Sequence, residues 1–231
     1  MKTPESSKPP RPGVDAERAA PTPLSRSRIV QAALDEVTAE GLAGFSTRKL
    51  GQRLGCEAMS IYHHFPSKQH LLDAMLDHAI ASIEAPPREL VPIQRLRHGL
   101  DAYRAMARRY PALFPLIAAH RLNTPTGVRY LEGILTLIQA VLPDPELSAR
   151  YFRTLGYYLV GAGLDETSGH AKGPSAAEPV DDEFILRECP RLVAVGRYFR
   201  PSEWDATFEL GVQMFLDAIR RDAARVRRVG P

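Results

Sequence analysis

A chain of 231 residues exceeds the typical domain of ~100–150 residues, so it has room for one large domain or two small ones. An apolar fraction of 44% and a charged fraction of 25% allow a full core, and no apolar run approaches the ~20 residues that a bilayer span needs. A net charge of +3 suits a nucleic-acid partner without requiring one, and two cysteines as far apart as Cys56 and Cys189 argue against a disulfide framework or a zinc site. The N-terminus lacks the apolar segment of a secretory signal, so the expected location is a reducing cytoplasm, with no membrane partner.

Residues 1–23 carry six prolines among scattered Lys, Arg, Glu and Ser, the composition of a disordered or extended tail. From Leu24 the pattern turns helical: Ser25 stands as an N-cap, Ile29, Val30, Ala33, Leu34 and Val37 form one apolar stripe, and Gly41 is placed to end it. Ser46 to Phe65 then reads as helix, tight turn, helix. Phe45 and Leu50 bracket a Ser46 N-cap at the spacing of a hydrophobic staple, and Gly55 supplies the left-handed residue that stops the first helix. The second, Glu57–His64, turns Ala58, Ile61 and Phe65 inward and leaves Met59, Ser60, Tyr62 and His63 outside. That outer face is poor core and poor solvent surface, but it suits the base edges of a DNA groove. Pro66 breaks the chain, Ser67 recaps it, and a longer helix carries Leu71, Leu72, Met75, Leu76, Ile80 and Ile83.

The rest shows no alternating β pattern, so the predicted fold class is all-α. Helices are expected over Ile93–Arg109, Tyr110–His120, Thr124–Leu142 and Glu146–Leu164, the last apolar nearly all round and therefore buried on more than one face. Asp165 to Val180 reads as a long Gly/Ala/Pro/Ser loop, followed by a short helical piece around Phe184–Tyr198. A final helix from Glu203 to about Arg225 is striped with Phe208, Val212, Phe215, Leu216 and Ile219.

Several of these residues stand in a familiar order: Phe45-Ser46-Thr47-Arg48-Lys49-Leu50, Leu54-Gly55, Ser60-Ile61-Tyr62-His63-His64-Phe65, Ser67-Lys68 and Leu71-Leu72. The stretch from Leu24 to Ile80 resembles the DNA-binding domain of the tetracycline-repressor (TetR) family of transcriptional regulators. Pro190 with Leu192, Phe208-Glu209-Leu210-Gly211 and Leu216-Asp217 are similar to the closing helices of the tetracycline-repressor subgroup. The resemblance implies a helix-turn-helix domain over residues 24–70 and a helical ligand-binding and dimerisation domain over 71–231. It also implies a homodimer joined by a four-helix bundle, and a small molecule in the second domain whose binding releases double-stranded operator DNA.

By that similarity Thr47 and Arg48 meet phosphates or a base edge, Ala58, Met59 and Ser60 hold the reading positions, and Tyr62, His63 and His64 lean on backbone and bases. Lys68 stands at a helix N-terminus, where its ammonium and a backbone N–H can meet one phosphate. Arg26, Arg28, Lys49 and Arg53 add positive charge to the same segment against Asp35, Glu36, Glu40 and Glu57. His63 and His64 point about 100° apart on a helix and have no third ligand near, so no metal site is expected, and no cofactor. For an effector pocket the candidates are Tyr103, Met106, Phe114, Tyr130 and Tyr157, which could equally fill solid core, together with His120 and Asp165, which resemble the drug-binding segments of the subgroup. Gly99 and Thr124 depart from that subgroup's drug contacts, which favours an apolar or amphipathic organic effector over a metal chelate.

The leading expectation is a dimeric, ligand-responsive repressor that reads a pseudo-palindromic operator. A helical small-molecule-binding or interaction protein that no longer reads DNA is the alternative. Catalysis is not expected, since no Ser-His-Asp ordering, glycine-rich phosphate loop or paired carboxylates occur.

Overall fold

The computed structural model describes residues 23–168 and 176–229. The described residues form eleven α-helices and no strand: α1 (Arg26–Gly44), α2 (Thr47–Leu54), α3 (Ala58–His64), α4 (Lys68–Ala81), α5 (Pro92–Arg109), α6 (Phe114–Ala119), α7 (Pro125–Val141), α8 (Pro145–Ser168), α9 (Asp182–Glu188), α10 (Pro190–Val195) and α11 (Trp204–Val229). None of these helices is long and apolar enough to cross a membrane. The expected tail lies outside the described residues, apart from Pro23.

Local chemistry sets the helix starts. Ser25, Ser46 and Ser67 accept hydrogen bonds from the N–H groups of Arg28, Lys49 and His70, each three residues on. Such a cap is worth about 1 kcal/mol, because it satisfies a donor that the helix itself leaves open. Thr124 caps α7 in the same way through Gly127, and proline fills the first turn of α5, α6, α7 and α10, where its missing N–H costs nothing. Gly41 takes φ 72° and breaks the helical backbone at the expected place, with one further turn after it.

One expectation is corrected. Asp165 does not open a loop: α8 runs on through Ser168. The reason lies in Glu166, whose side chain is only 5% exposed. It takes a double hydrogen bond from the Arg104 guanidinium (shortest contact 2.6 Å) and another from Arg108 Nε (2.8 Å), both on α5. Asp205 of α11 bridges the same two arginines at 3.0 and 2.8 Å, and Arg104 lies over the Phe208 ring at 4.1 Å. This cluster ties three helices together and holds the last turn of α8. Residues 169–175 of the expected loop lie outside the described residues.

Two apolar clusters make the core. The first starts with Ile29, Leu34 and Val37 of α1, takes in Leu50, Ile61, Phe65, Leu71, Met75 and Ile80, and continues into Tyr103, Met106, Phe114 and Ile117 of α5 and α6. The second joins Leu96 and Leu100 of α5 to Leu137 and Ile138 of α7, Leu155 of α8, and Phe208, Val212, Leu216 and Ile219 of α11. Leu159 packs against both.

Candidate nucleic-acid interface and ligand cavity

The helix-turn-helix is built by a few short-range contacts. Glu36 Oε1 accepts from the Ser46 N–H at 3.3 Å and Ser46 caps α2, so α1 fixes where α2 begins. Gly55 takes φ 70°, ψ 31°, a left-handed turn that a side chain would strain. Gly51 lets the turn fold back on α2: a Cβ there would stand 2.8 Å from the Cys56 carbonyl oxygen, and the Cys56 N–H donates to the Gly51 carbonyl at 2.9 Å. Ile61 and Phe65, each 1% exposed, anchor α3 in the first cluster, and burial of such side chains is worth roughly 1.5–3 kcal/mol apiece.

That anchoring decides what α3 presents. Met59 is 63% exposed and His63 is exposed, while Ala58, Ser60, Tyr62 and His64 are half-buried. The Tyr62 hydroxyl shares a 3.2 Å hydrogen bond with Thr47 Oγ1, which joins the start of α2 to the middle of α3. Arg48 is exposed beside Thr47. Lys68 is exposed too, but its ammonium donates to the Phe45 carbonyl at 3.1 Å and lies 5.3 Å from the Phe45 ring. Two other cations counted toward DNA are engaged within the head: Lys49 pairs with Glu40 at 3.0 Å and Arg53 with Asp35 at 3.5 Å.

A cavity of about 490 Å³ lies among α5, α6, α7 and α8. Its walls are mainly apolar and aromatic, with Leu100, Tyr103, Ile117, Tyr130, Ile134, Leu155 and Leu159, and its polar atoms come from His120, Arg153 and the tyrosines. Tyr103 and Tyr130 stack at 6.3 Å between ring centres, with planes 20° apart. Burial pushes the Tyr103 phenol up to about 12, and it raises Tyr130 further, with Tyr103 adding to the effect. Both phenols are therefore neutral hydrogen-bonding groups. His120 Nδ1 lies 3.0 Å from the Leu116 carbonyl oxygen, which can only accept, so Nδ1 donates to it.

Of the expected pocket residues, Tyr103, His120, Tyr130 and Tyr157 line this cavity. Met106 and Phe114 do not: both are buried in the first core cluster, and Phe114 fills the space beside Gly163, where even a Cβ would collide with its ring. Asp165 is also absent from the walls; it is exposed, because the turn of α8 that carries Glu166 inward carries Asp165 out. The contribution of α8 beyond Tyr157 (Phe152, Arg153, Leu155, Gly156, Leu159, Val160 and Gly161) was legible only as an all-round apolar helix. A second, smaller and more polar cavity of about 280 Å³ adjoins α4 and is bounded by Asp73, Asp77, His120, Asn123 and Thr124. His120 belongs to both. In the wall of the second, Thr124 Oγ1 donates a hydrogen bond to Asp77 of α4.

Comparison with known proteins agrees with this division of features. Residues 29–75 match the family model for bacterial regulatory proteins of the tetR family, and residues 93–222 match the model for the tetracyclin repressor-like C-terminal domain. The HTH-type transcriptional repressor DrrR1 of Streptomyces coeruleorubidus is 33% identical over 183 residues, covering 76% of this chain and 66% of that protein. The class C tetracycline repressor protein of Escherichia coli is 37% identical over 212 residues, covering 86% of this chain and 91% of that protein. Among solved structures, that of the Streptomyces coelicolor TetR family protein ActR in complex with actinorhodin superposes with a TM-score of 0.68 at 25% identity, covering 85% of this chain and 95% of that one. With the helix-turn-helix, the cavity behind it and both family models in register, the chain belongs to the TetR family of transcriptional regulators, as a ligand-responsive, DNA-binding member.

Proposed function

We propose that the chain is a homodimeric repressor that leaves a pseudo-palindromic operator when an apolar or amphipathic organic molecule fills the 490 Å³ cavity. Residues 24–70 read the operator, and residues 71–231 bind the ligand and pair two copies. The work is binding, not catalysis, and its setting is the cytoplasm. The observation that carries this reading is the exposure of Met59 and His63 on a helix pinned by Ile61, Phe65 and the Thr47–Tyr62 hydrogen bond. In the groove Ala58 and Met59 offer apolar contact, which favours thymine methyl groups, and Ser60 offers a hydroxyl. Thr47, Arg48, Tyr62, His63, His64 and Lys68 supply contacts to phosphates and flanking bases.

The cavity argues for the class of effector. Its volume lies within the ~300–1,000 Å³ range of drug-sized sites, and its walls are mainly apolar and aromatic, with polar points at the buried Tyr103 and Tyr130 phenols, Tyr157, the His120 imidazole and the Arg153 guanidinium, which together suit an amphipathic molecule. A metal chelate fits less well. Gly99 offers no side chain and faces Ile134 and Leu137, while the Thr124 hydroxyl is taken up by Asp77. The bond from Thr124 to Asp77 also ties the segment that follows His120 to α4, the helix that begins beside α3. A ligand that displaces His120 and the 121–124 segment acts on α4 there.

A labelled duplex from beside the protein's own gene is expected to shift in a gel with the wild-type chain, and Tyr62→Ala combined with Lys68→Ala is expected to abolish the shift. Undiminished binding by the double variant would overturn the DNA assignment. A wild-type chain that binds small molecules but no duplex would favour the alternative, a binding protein that no longer reads DNA.

A further inference from the structure

Arg26 opens α1, 38 residues before the end of the reading helix, yet it reaches that end. Its Nη1 donates to the main-chain carbonyl of His64, and its guanidinium carbon lies 4.1 Å from the centre of the Phe65 ring. His64 is the last residue of α3, and its carbonyl is one of those that a helix leaves without an internal partner. A cation at this end also meets the negative pole of the helix. The opposite end of α3 has less support, since Glu57 makes no side-chain capping bond. A seven-residue helix is too short to hold itself, so its orientation depends on what grips it from outside.

We propose that Arg26 is a positioning residue of the reading head: it clamps the C-terminal end of α3 to α1, so that Met59, Ser60 and Tyr62 enter the groove in one orientation. Ile61 and Phe65 fix the depth of α3, and the Thr47–Tyr62 bond fixes its α2 side. Arg26 fixes the remaining freedom, rotation about those anchors. Its contacts are a carbonyl and a ring of its own chain, and the role assigned to it needs no phosphate. This assignment rests on the DNA-binding reading and adds to it a residue that touches neither base nor backbone.

The experiment uses the full chain, the duplex from beside its own gene and a scrambled duplex of equal length, with affinities measured by fluorescence anisotropy across a series of salt concentrations. Arg26→Met keeps the apolar stem against Phe65 but removes the donor and the charge. It is expected to weaken binding of the gene-adjacent duplex about tenfold and of the scrambled duplex less than about twofold, since misorientation harms base reading more than phosphate contact. The salt slope should stay at the wild-type value, whereas Arg48→Met should lower it by about one. Arg26→Lys, which restores a cation and a donor, should return affinity to within about threefold of wild type. An equal fall on both duplexes would mean loss of folded heads, and a lowered slope would mean a phosphate contact; either overturns the proposal, as does unchanged affinity or failure of the lysine variant to rescue. If the wild-type chain shows no preference for its own duplex, the DNA reading itself fails, a result separate from one in which wild type binds and Arg26→Met matches it.

Discussion

Tyrosine does opposite work in the two halves of the chain. Tyr62 is half-buried and spends its hydroxyl on Thr47, joining α3 to α2. Tyr103 and Tyr130 bury theirs, and loss of solvent holds both phenols in the neutral form well past the ordinary range. A raised folded-state pKa means that the folded chain keeps its proton more tightly than the unfolded one. The stabilisation is present below the unfolded value of about 10 and is lost as pH climbs toward the folded value. For Tyr103 that window runs from about 10 to about 12. Denaturant unfolding across this interval should therefore show wild type losing stability more steeply than Tyr103→Phe; superimposable curves would show that the Tyr103 phenol is not shielded from water. At this scale, what the bare chain discloses depends on range. Ser25, Ser46 and Ser67 were legible as caps because each partner lies three residues away, and Gly55 because its backbone angle is local. Asp165 was misplaced, and Arg26 was legible only as one of several positive charges, because what decides them lies far off in sequence, on α5 for the turn of α8 and on α3 for the start of α1.

Among the helices, α4 has the most varied duties. Its first residue, Lys68, holds the carbonyl of Phe45, its middle carries Met75 into the first core cluster, and Asp77 receives the Thr124 hydroxyl. Thr124 does two things with one oxygen, accepting from the Gly127 N–H and donating to Asp77. Thr124→Val keeps the shape but removes both bonds, and it should cost about 1–3 kcal/mol in urea denaturation, the sum of a lost cap and a lost charge-assisted hydrogen bond. A change below a few tenths of a kcal/mol would show that the α4–α7 junction is held by packing alone. The helices themselves were foreseeable from the 3.6-residue period, but not every bound was: the helix expected over Tyr110–His120 is only Phe114–Ala119, the piece around Phe184–Tyr198 divides into α9, α10 and a 3-10 turn, and α11 runs on to Val229. At the end of α8 a Gly/Ala/Pro/Ser composition argued for a loop, and two arginines on α5 supplied the partners that kept its first residues helical.

For the whole molecule, the outer faces of the two longest helices matter most. On α11 the inward stripe of Phe208, Val212, Leu216 and Ile219 is buried, while Leu210 and Met214 stand exposed on the other side; on α8 Tyr157, which also lines the cavity, is exposed. The bare apolar face of α11 fits a second copy of the chain, as in the expected four-helix bundle. Light scattering at micromolar concentration should give twice the 25.6 kDa chain mass, and Leu210→Glu with Met214→Glu should halve it. A dimer that survives both substitutions would place the contact elsewhere.

The first core cluster also bears on how such a protein can change over time. It begins at Ile29 of α1 and ends at Ile117 in the cavity wall, and Tyr103 is at once part of that cluster and part of the same wall. The two family models leave residues 76–92 between them, but the buried side chains leave no corresponding seam. A reading head exchanged between relatives at that point would arrive with its inner surface fitted to another protein's α5 and α6. Heads in this architecture are therefore free to vary along the outer side of α3 and are bound to their ligand domains along α4; a new operator can be acquired by substitution, while a new head must bring its neighbours with it.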